Sequence, residues 1–207
     1  MNREHLPYIT TSLGTRWYHS APLPEDVHIE FIAHALARLC RFAGHVNCNM
    51  YSVAEHSVRV SYACPPEHQL WGLLHDASES VCVDVPRPLK YADGMGMYKK
   101  YEKMTQAAIM EHFGLPKEEP EEVKLADMRL LATEYRDLMP QGDAIINAEA
   151  YPDKVEPWTT EQAERVFLMR FYELTGRNHF YFEQYLTEML ELGKSLAMFG
   201  TINYEGE

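Results

Sequence analysis

Apolar side chains recur at intervals of three and four in segment after segment of this chain, and nowhere do they alternate convincingly at intervals of two. That spacing is the period of an amphipathic helix, not of a half-buried strand. Prolines and glycines stand between the segments, where a helix has to stop. A chain so patterned is expected to be all-α, each helix burying one stripe against its neighbours.

Ile29, Ile32, Ala33, Leu36, Leu39 and Phe42 predict a helix that begins after Asp26 and stops at Gly44. Ser52 is placed to cap the next one, with Glu55 at the position of a capping box. It runs through His56 and Val60 to about Ala63 and ends at Pro65-Pro66. A third is predicted from Glu67 to Val81, with Leu70, Leu73, Leu74 and Ala77 inward. Asp84-Val85-Pro86-Arg87-Pro88 is expected to be a loop, because prolines two apart cannot continue a helix interior. Further helices are predicted over 97–113, 121–138, 159–175 and 179–199, with mostly loop over 140–157. Residues 1–26, broken by Pro7, Gly14, Pro22 and Pro24, read as an irregular arm lying on the body.

The length, 207 residues, suffices for one substantial core and is too short for two comfortable ones. The expected organisation is a single orthogonal helical domain: arm 1–26, core 27–138 and extra C-terminal helices in 139–207. No apolar run approaches the roughly 18 residues of a membrane span. The polar Met1-Asn2-Arg3-Glu4-His5 start gives no sign of a signal peptide. Cys40, Cys48, Cys64 and Cys82 are scattered with no disulfide framework, so reduced thiols and a cytoplasmic location are expected. Cys40, His45 and Cys48 could be imagined around zinc, but the CxxC pair that makes such a site specific is missing. Net charge is −12, which disfavours a long nucleic acid as partner. It leaves room for a small anion held by a cation.

The residues that carry chemistry begin with His75. Asp76 follows it directly on the apolar stretch Trp71-Gly72-Leu73-Leu74, where a carboxylate is costly to bury unless something positive pairs with it. A divalent metal is such a partner, and imidazole and carboxylate are standard ligands. Glu79 lies one helical turn beyond His75. His56 sits on the preceding helix, and Asp127 on a later one among Val123, Leu130 and Leu131. Singly, His56 reads as a hydrogen-bonded core histidine and Asp127 as part of a solvated face. Four such residues on three helices, each in apolar surroundings, favour a shared metal.

The order His56, His75-Asp76, Asp127 resembles the metal-binding signature of HD-domain phosphohydrolases. Val53-Ala54-Glu55-His56-Ser57, His75-Asp76-Ala77-Ser78-Glu79, Asp84-Val85-Pro86-Arg87-Pro88-Leu89-Lys90-Tyr91, Lys124-Leu125-Ala126-Asp127 and Arg16-Trp17 resemble the compact bacterial 5′-deoxynucleotidases. Ile32-Ala33-His34-Ala35-Leu36 with Cys40-Arg41-Phe42-Ala43-Gly44-His45 is similar to small HD hydrolases of phages, among them dATP triphosphohydrolases.

The resemblance implies that His56, His75, Asp76 and Asp127 hold one divalent cation (zinc, manganese, cobalt or iron), with a second, magnesium, conceivable on the phosphates. It implies that Glu79 and Asp84 are an acid–base pair whose roles stay open. Arg16 would clamp phosphate, Trp17 would pack on sugar or base, and Lys90 would add charge. Each has a plainer reading: Arg16 as partner of surface carboxylates, Trp17 as a pin for the arm, Lys90 as an exposed loop cation. His34 and His45 could reach the site or simply be buried, and Arg59, Arg87, Lys99 and Lys100 are further cations for a triphosphate. The implied activity is hydrolysis of a deoxynucleotide phosphoester. The product is triphosphate from a dNTP with purine (dATP) preference, or phosphate from a monophosphate.

Alternatives are an alarmone hydrolase, disfavoured because Ser80 follows Glu79 where that branch has an acid, and a non-catalytic nucleotide-binding or assembly protein. The relatives implied by the resemblance are often assemblies, so a homo-oligomer, dimer or hexamer, is expected, in host cytoplasm if phage-encoded. The C-terminal aromatics, Trp158 and His179-Phe180-Tyr181-Phe182, read as core or subunit interface.

Overall fold

The computed structural model describes residues 3–140 and 146–176. Met1-Asn2, the predicted helix over 179–199 and the aromatic run 179–182 lie outside the described residues. Among the described residues the fold is all-α apart from one small hairpin in the arm. There β1 (Ile9–Thr10) pairs antiparallel with β2 (Arg16–Trp17), in register Ile9 with Trp17. Two residues per strand are too few to leave an alternating pattern in the sequence. The turn is closed by the Thr11 and Gly14 amides and needs the positive φ of 75° that Gly14 adopts.

α1 (Ile29–Leu36) is shorter than its apolar spacing predicts. The chain leaves the helix, forms an isolated bridge between Cys40 and Ser52, and turns through left-handed backbone at Phe42 (φ 55°) and Ala43 (φ 51°). The Arg41 amide donates to the Tyr51 carbonyl at 2.9 Å, and the Val53 amide to Leu39. α2 (Val53–Ala63) then starts at Ser52, whose hydroxyl accepts the Glu55 amide at 3.1 Å. The reciprocal half of the capping box is replaced: the Glu55 carboxylate turns to Arg59 and to the Trp158 amide.

The helix predicted from 67 to 81 is interrupted. α3 (Gln69–Leu74) and α4 (Glu79–Cys82) are joined by a tightened turn over His75–Ser78, with amide bonds three residues back from Ala77, Glu79, Ser80 and Val81. The expected loop at 84–88 also differs. Arg87 and Pro88 open a short α5 (Arg87–Lys90), because a proline is tolerated in a first turn, where its missing N–H has no helical partner. α6 (Gly96–His112) and α7 (Glu121–Leu138) match the prediction closely. α8 (Thr160–Thr175) opens on a capping box between Thr159 and Gln162 and closes on left-handed Gly176.

α2 packs against α3, α7 and α8. One glycine sets how close α3 comes: a Cβ at Gly72 would stand 2.9 Å from Cys64 Sγ and 3.3 Å from Ser61 Cα. Trp17, Phe31, Ile32, Leu36, Leu73, Leu74, Ile109 and Phe167 belong to one buried cluster that runs from the arm to α8. The 146–158 connection is strapped down by Tyr151 to Thr133, Val155 to Asp137 and Trp158 to Glu55. No helix among the described residues is long and apolar enough to cross a membrane.

Candidate metal centre

The close approach of α2 and α3 sets two imidazoles edge toward edge, nitrogen to nitrogen. His56 Nε2 and His75 Nε2 are 3.2 Å apart. Asp76 Oδ2 lies 3.1 Å from His75 Nε2 and 3.6 Å from His56 Nε2. Asp127 reaches across from α7 to within 3.1 Å of His56 Nε2 and 3.9 Å of His75 Nε2. Among the described residues His56, His75 and Asp76 form a group whose ligand atoms could hold a metal ion, and Asp127 approaches His56 from the third helix. Metal–nitrogen and metal–oxygen bonds are about 2.0–2.2 Å, so neighbouring ligand atoms on one ion stand roughly 3.0–3.5 Å apart. The separations of 3.6 Å and 3.9 Å are wider than that frame, while those of 3.1–3.2 Å fit it. So does the donor chemistry, two imidazole nitrogens and two carboxylate oxygens.

The electrostatics ask for a positive charge at this point. Burial works against protonating His75, yet the Asp76 carboxylate, together with Asp127 and the Gly72 carbonyl, raises the pKa to about 9. Burial also opposes ionising Asp76, but His75, then His56 and Arg41, hold it well below the usual carboxylate range. Asp127 is lowered against its burial chiefly by His56.

Beside this group stand the two other carboxylates singled out in the sequence. Glu79 is buried at the start of α4, and its Oε2 has no hydrogen-bond partner. Burial pushes its pKa well up, Asp76 and Asp84 add to the shift, and Arg41 and Lys90 oppose it. Asp84 is likewise raised by burial, with Arg41 opposing. It follows Val83, a β-branched residue at φ 62°, so the chain is bent sharply between the two acids. Lys90 is tied to Glu102 at 2.7 Å, while its charge reaches Glu79 and Asp76. It is a half-buried, partnered cation, not a free loop lysine.

Arg16 and Trp17 face opposite ways, as neighbours on a strand must. Arg16 is exposed and stacks over Tyr8 at 4.5 Å. Trp17 is fully buried, packs on Phe31 at 6.0 Å and pins the arm to the core. Arg59 is committed to Glu55 and the Glu156 carbonyl, and stacks on Trp158. That removes it from the cations a triphosphate could use. His34 pairs with Glu164 on α8, and His45 is exposed. Cys40, His45 and Cys48 do not form a metal-ligating group among the described residues.

Three residues of this region were not picked out from the sequence. Glu134, fully buried on α7, accepts from Tyr51 Oη at 2.6 Å and lies 2.6 Å from His56 Nδ1. Arg41 reaches its other oxygen at 3.1 Å and stands 3.5 Å from Asp76 Oδ2. Seven residues separate Glu134 from Asp127, two helical turns on one face, and that spacing was the available signal. Arg41 lies in the Cys40–His45 segment that resembles the phage hydrolases, whereas Tyr51 had no signal, since the bridge and left-handed turn that bring both in are tertiary features.

No protein-family model matches the chain. Among known proteins it is similar to the uncharacterized protein YfdR of Escherichia coli (strain K12). That match is 37% identical over 177 residues, taking in 82% of this chain and 97% of that protein. An uncharacterized protein of Rhodobacter capsulatus is 41% identical over 113 residues, 51% of this chain and 57% of its own length. A 5′-deoxynucleotidase of Yersinia pestis (strain Pestoides F) is 31% identical over 123 residues, 58% of this chain and 54% of that enzyme. The chain thus spans little more than half the length of the last two. It belongs to the family of Escherichia coli YfdR, and its more distant 5′-deoxynucleotidase relatives support an HD-domain-like phosphohydrolase family around it.

Proposed function

We propose that the chain is a metal-dependent phosphohydrolase that removes the 5′-phosphate from a deoxynucleoside monophosphate. The observation that carries this reading is the convergence of His56, His75, Asp76 and Asp127 beside the buried Glu79, whose Oε2 has no hydrogen-bond partner. The 5′-deoxynucleotidase relatives agree with it. A divalent cation held by those four residues would supply Lewis acidity toward a phosphate oxygen and lower the pKa of water. Glu79, buried and pushed toward its neutral form, is suited to hand a proton to the leaving sugar oxygen. Asp84, the less buried of the pair, is suited to orient and deprotonate the attacking water. Arg41 and Lys90 balance the carboxylates around the phosphate.

A second reading, release of triphosphate from a dNTP with dATP preference, is favoured by one feature. The exposed Tyr91 ring is flanked by Arg87 at 5.8 Å and Lys99 at 5.3 Å, two cations beside an aromatic surface next to α5. In both readings the chain acts as one domain, and as a homo-oligomer. Incubating the protein with deoxynucleoside mono- and triphosphates, each with manganese, cobalt, zinc or magnesium, separates them by chromatography of the products. Phosphate from monophosphates alone supports the first reading, and triphosphate from dATP the second. Intact nucleotides with metal bound would overturn both.

A further inference from the structure

The two facing histidines are braced differently on their far sides. His75 Nδ1 lies 2.7 Å from the Gly72 carbonyl, which can only accept, so Nδ1 carries the proton and Nε2 is left for the cluster. His56 has no such carbonyl. Its Nδ1 meets Glu134, a carboxylate with no exposed surface, whose Oε1 also accepts the Tyr51 hydroxyl and whose Oε2 accepts Arg41 Nε. Both oxygens of Glu134 already accept, one from Tyr51 and the other from Arg41, so the carboxylate faces His56 Nδ1 as an acceptor.

We infer that Glu134 is a positioning residue for the metal centre. By accepting the Nδ1 proton of His56 it fixes the ring's rotation and tautomer so that Nε2 points at the shared cation. Tyr51 and Arg41 fix Glu134 in turn. Arg41 extends the same brace to a second ligand candidate, because its guanidinium lies between Glu134 and Asp76. A carboxylate behind a metal-bound imidazole raises its basicity, and loss of such a partner typically costs 10–100-fold in metal affinity. A purely structural carboxylate would hold the helices together and leave affinity and tautomer unchanged.

The inference rests on the metal-centre reading, and the test separates the two. Zinc affinity is measured by chelator competition for the wild type, Glu134→Gln and Glu134→Asp. Ring-nitrogen resonances of the zinc-loaded proteins are recorded by NMR, with helical content checked by circular dichroism. The expected result is a wild-type His56 with a far-downfield Nδ1 proton. That signal is lost in folded Glu134→Gln, whose affinity falls about 10–100-fold. Glu134→Asp, which keeps the charge on a shorter arm, recovers part of the loss. A folded Glu134→Gln with wild-type affinity and an unchanged His56 resonance overturns the role. Should Glu134→Gln not fold, the wild-type spectrum decides alone: a proton on His56 Nε2, or an Nδ1 proton at an ordinary solvent-exchanged position, also overturns it. Failure of the wild type to bind zinc, manganese or cobalt removes the metal centre itself, a result in which no variant takes part.

Discussion

His56 and His75 oppose each other nitrogen to nitrogen, Nε2 to Nε2 at 3.2 Å, with their ring planes tilted by 56°. Two lone pairs cannot face each other at that separation without something positive between them. One proton shared between the rings answers the need, and so does a divalent cation with two carboxylates already at hand.

Cation binding is therefore expected to stabilise the folded protein. A metal at a hundredfold excess over its Kd adds about 2.7 kcal/mol, which thermal denaturation reads as a higher Tm. In His75→Ala the added metal should leave Tm unmoved. An equal rise in that variant would place the ion elsewhere.

Glu79→Gln removes the acidic proton that the proposed mechanism hands to the leaving group and keeps the side chain's size. Hydrolysis is expected to drop on the order of 10²–10⁴-fold. Metal affinity should stay within a few fold, since the proposed ligands are His56, His75, Asp76 and Asp127. Parallel loss of metal would make Glu79 a ligand instead.

Stability should depend on pH through Glu55. Burial raises its carboxyl to about 7 in the folded protein, against Arg59 and the Trp158 amide, from an ordinary value of 4.5. A raised acid binds more protons folded than unfolded, so its contribution is present in full below 4.5 and is lost as pH rises through about 7. Urea denaturation at pH 5 and pH 8 should show wild type losing more stability over that span than Glu55→Gln. Equal losses would show that the carboxyl titrates normally.

Trp17→Ala should cost about 3–5 kcal/mol, the usual range for emptying a large aromatic site. Chemical denaturation measures it. A loss below 1 kcal/mol would mean that the arm is not pinned by this ring.

The helix borders of α6, α7 and α8 were legible because each rests on local signals: Gly114 and Pro116 beyond one, Leu138 before Pro140, Thr159 and Gly176 around the last. The grouping of His56, His75 and Asp76 was legible because a carboxylate and imidazoles on apolar faces are costly to leave without a common partner. The end of α1 was not, since Leu39 and Phe42 keep the helical period while the backbone has already left it for the Cys40–Ser52 bridge. The turn at 75–78 was hidden for a similar reason, because bonds three residues back keep a nearly helical spacing of side chains. Arg41 and Tyr51 come to Glu134 only through contacts 93 and 83 residues apart in sequence, which no local pattern encodes.

The most direct test of the account is anomalous diffraction from crystals grown with manganese or zinc. It should show one peak about 2.0–2.2 Å from Nε2 of both His56 and His75 and from an oxygen of Asp76 and of Asp127. A bound metal whose peak lies away from these four residues would contradict it.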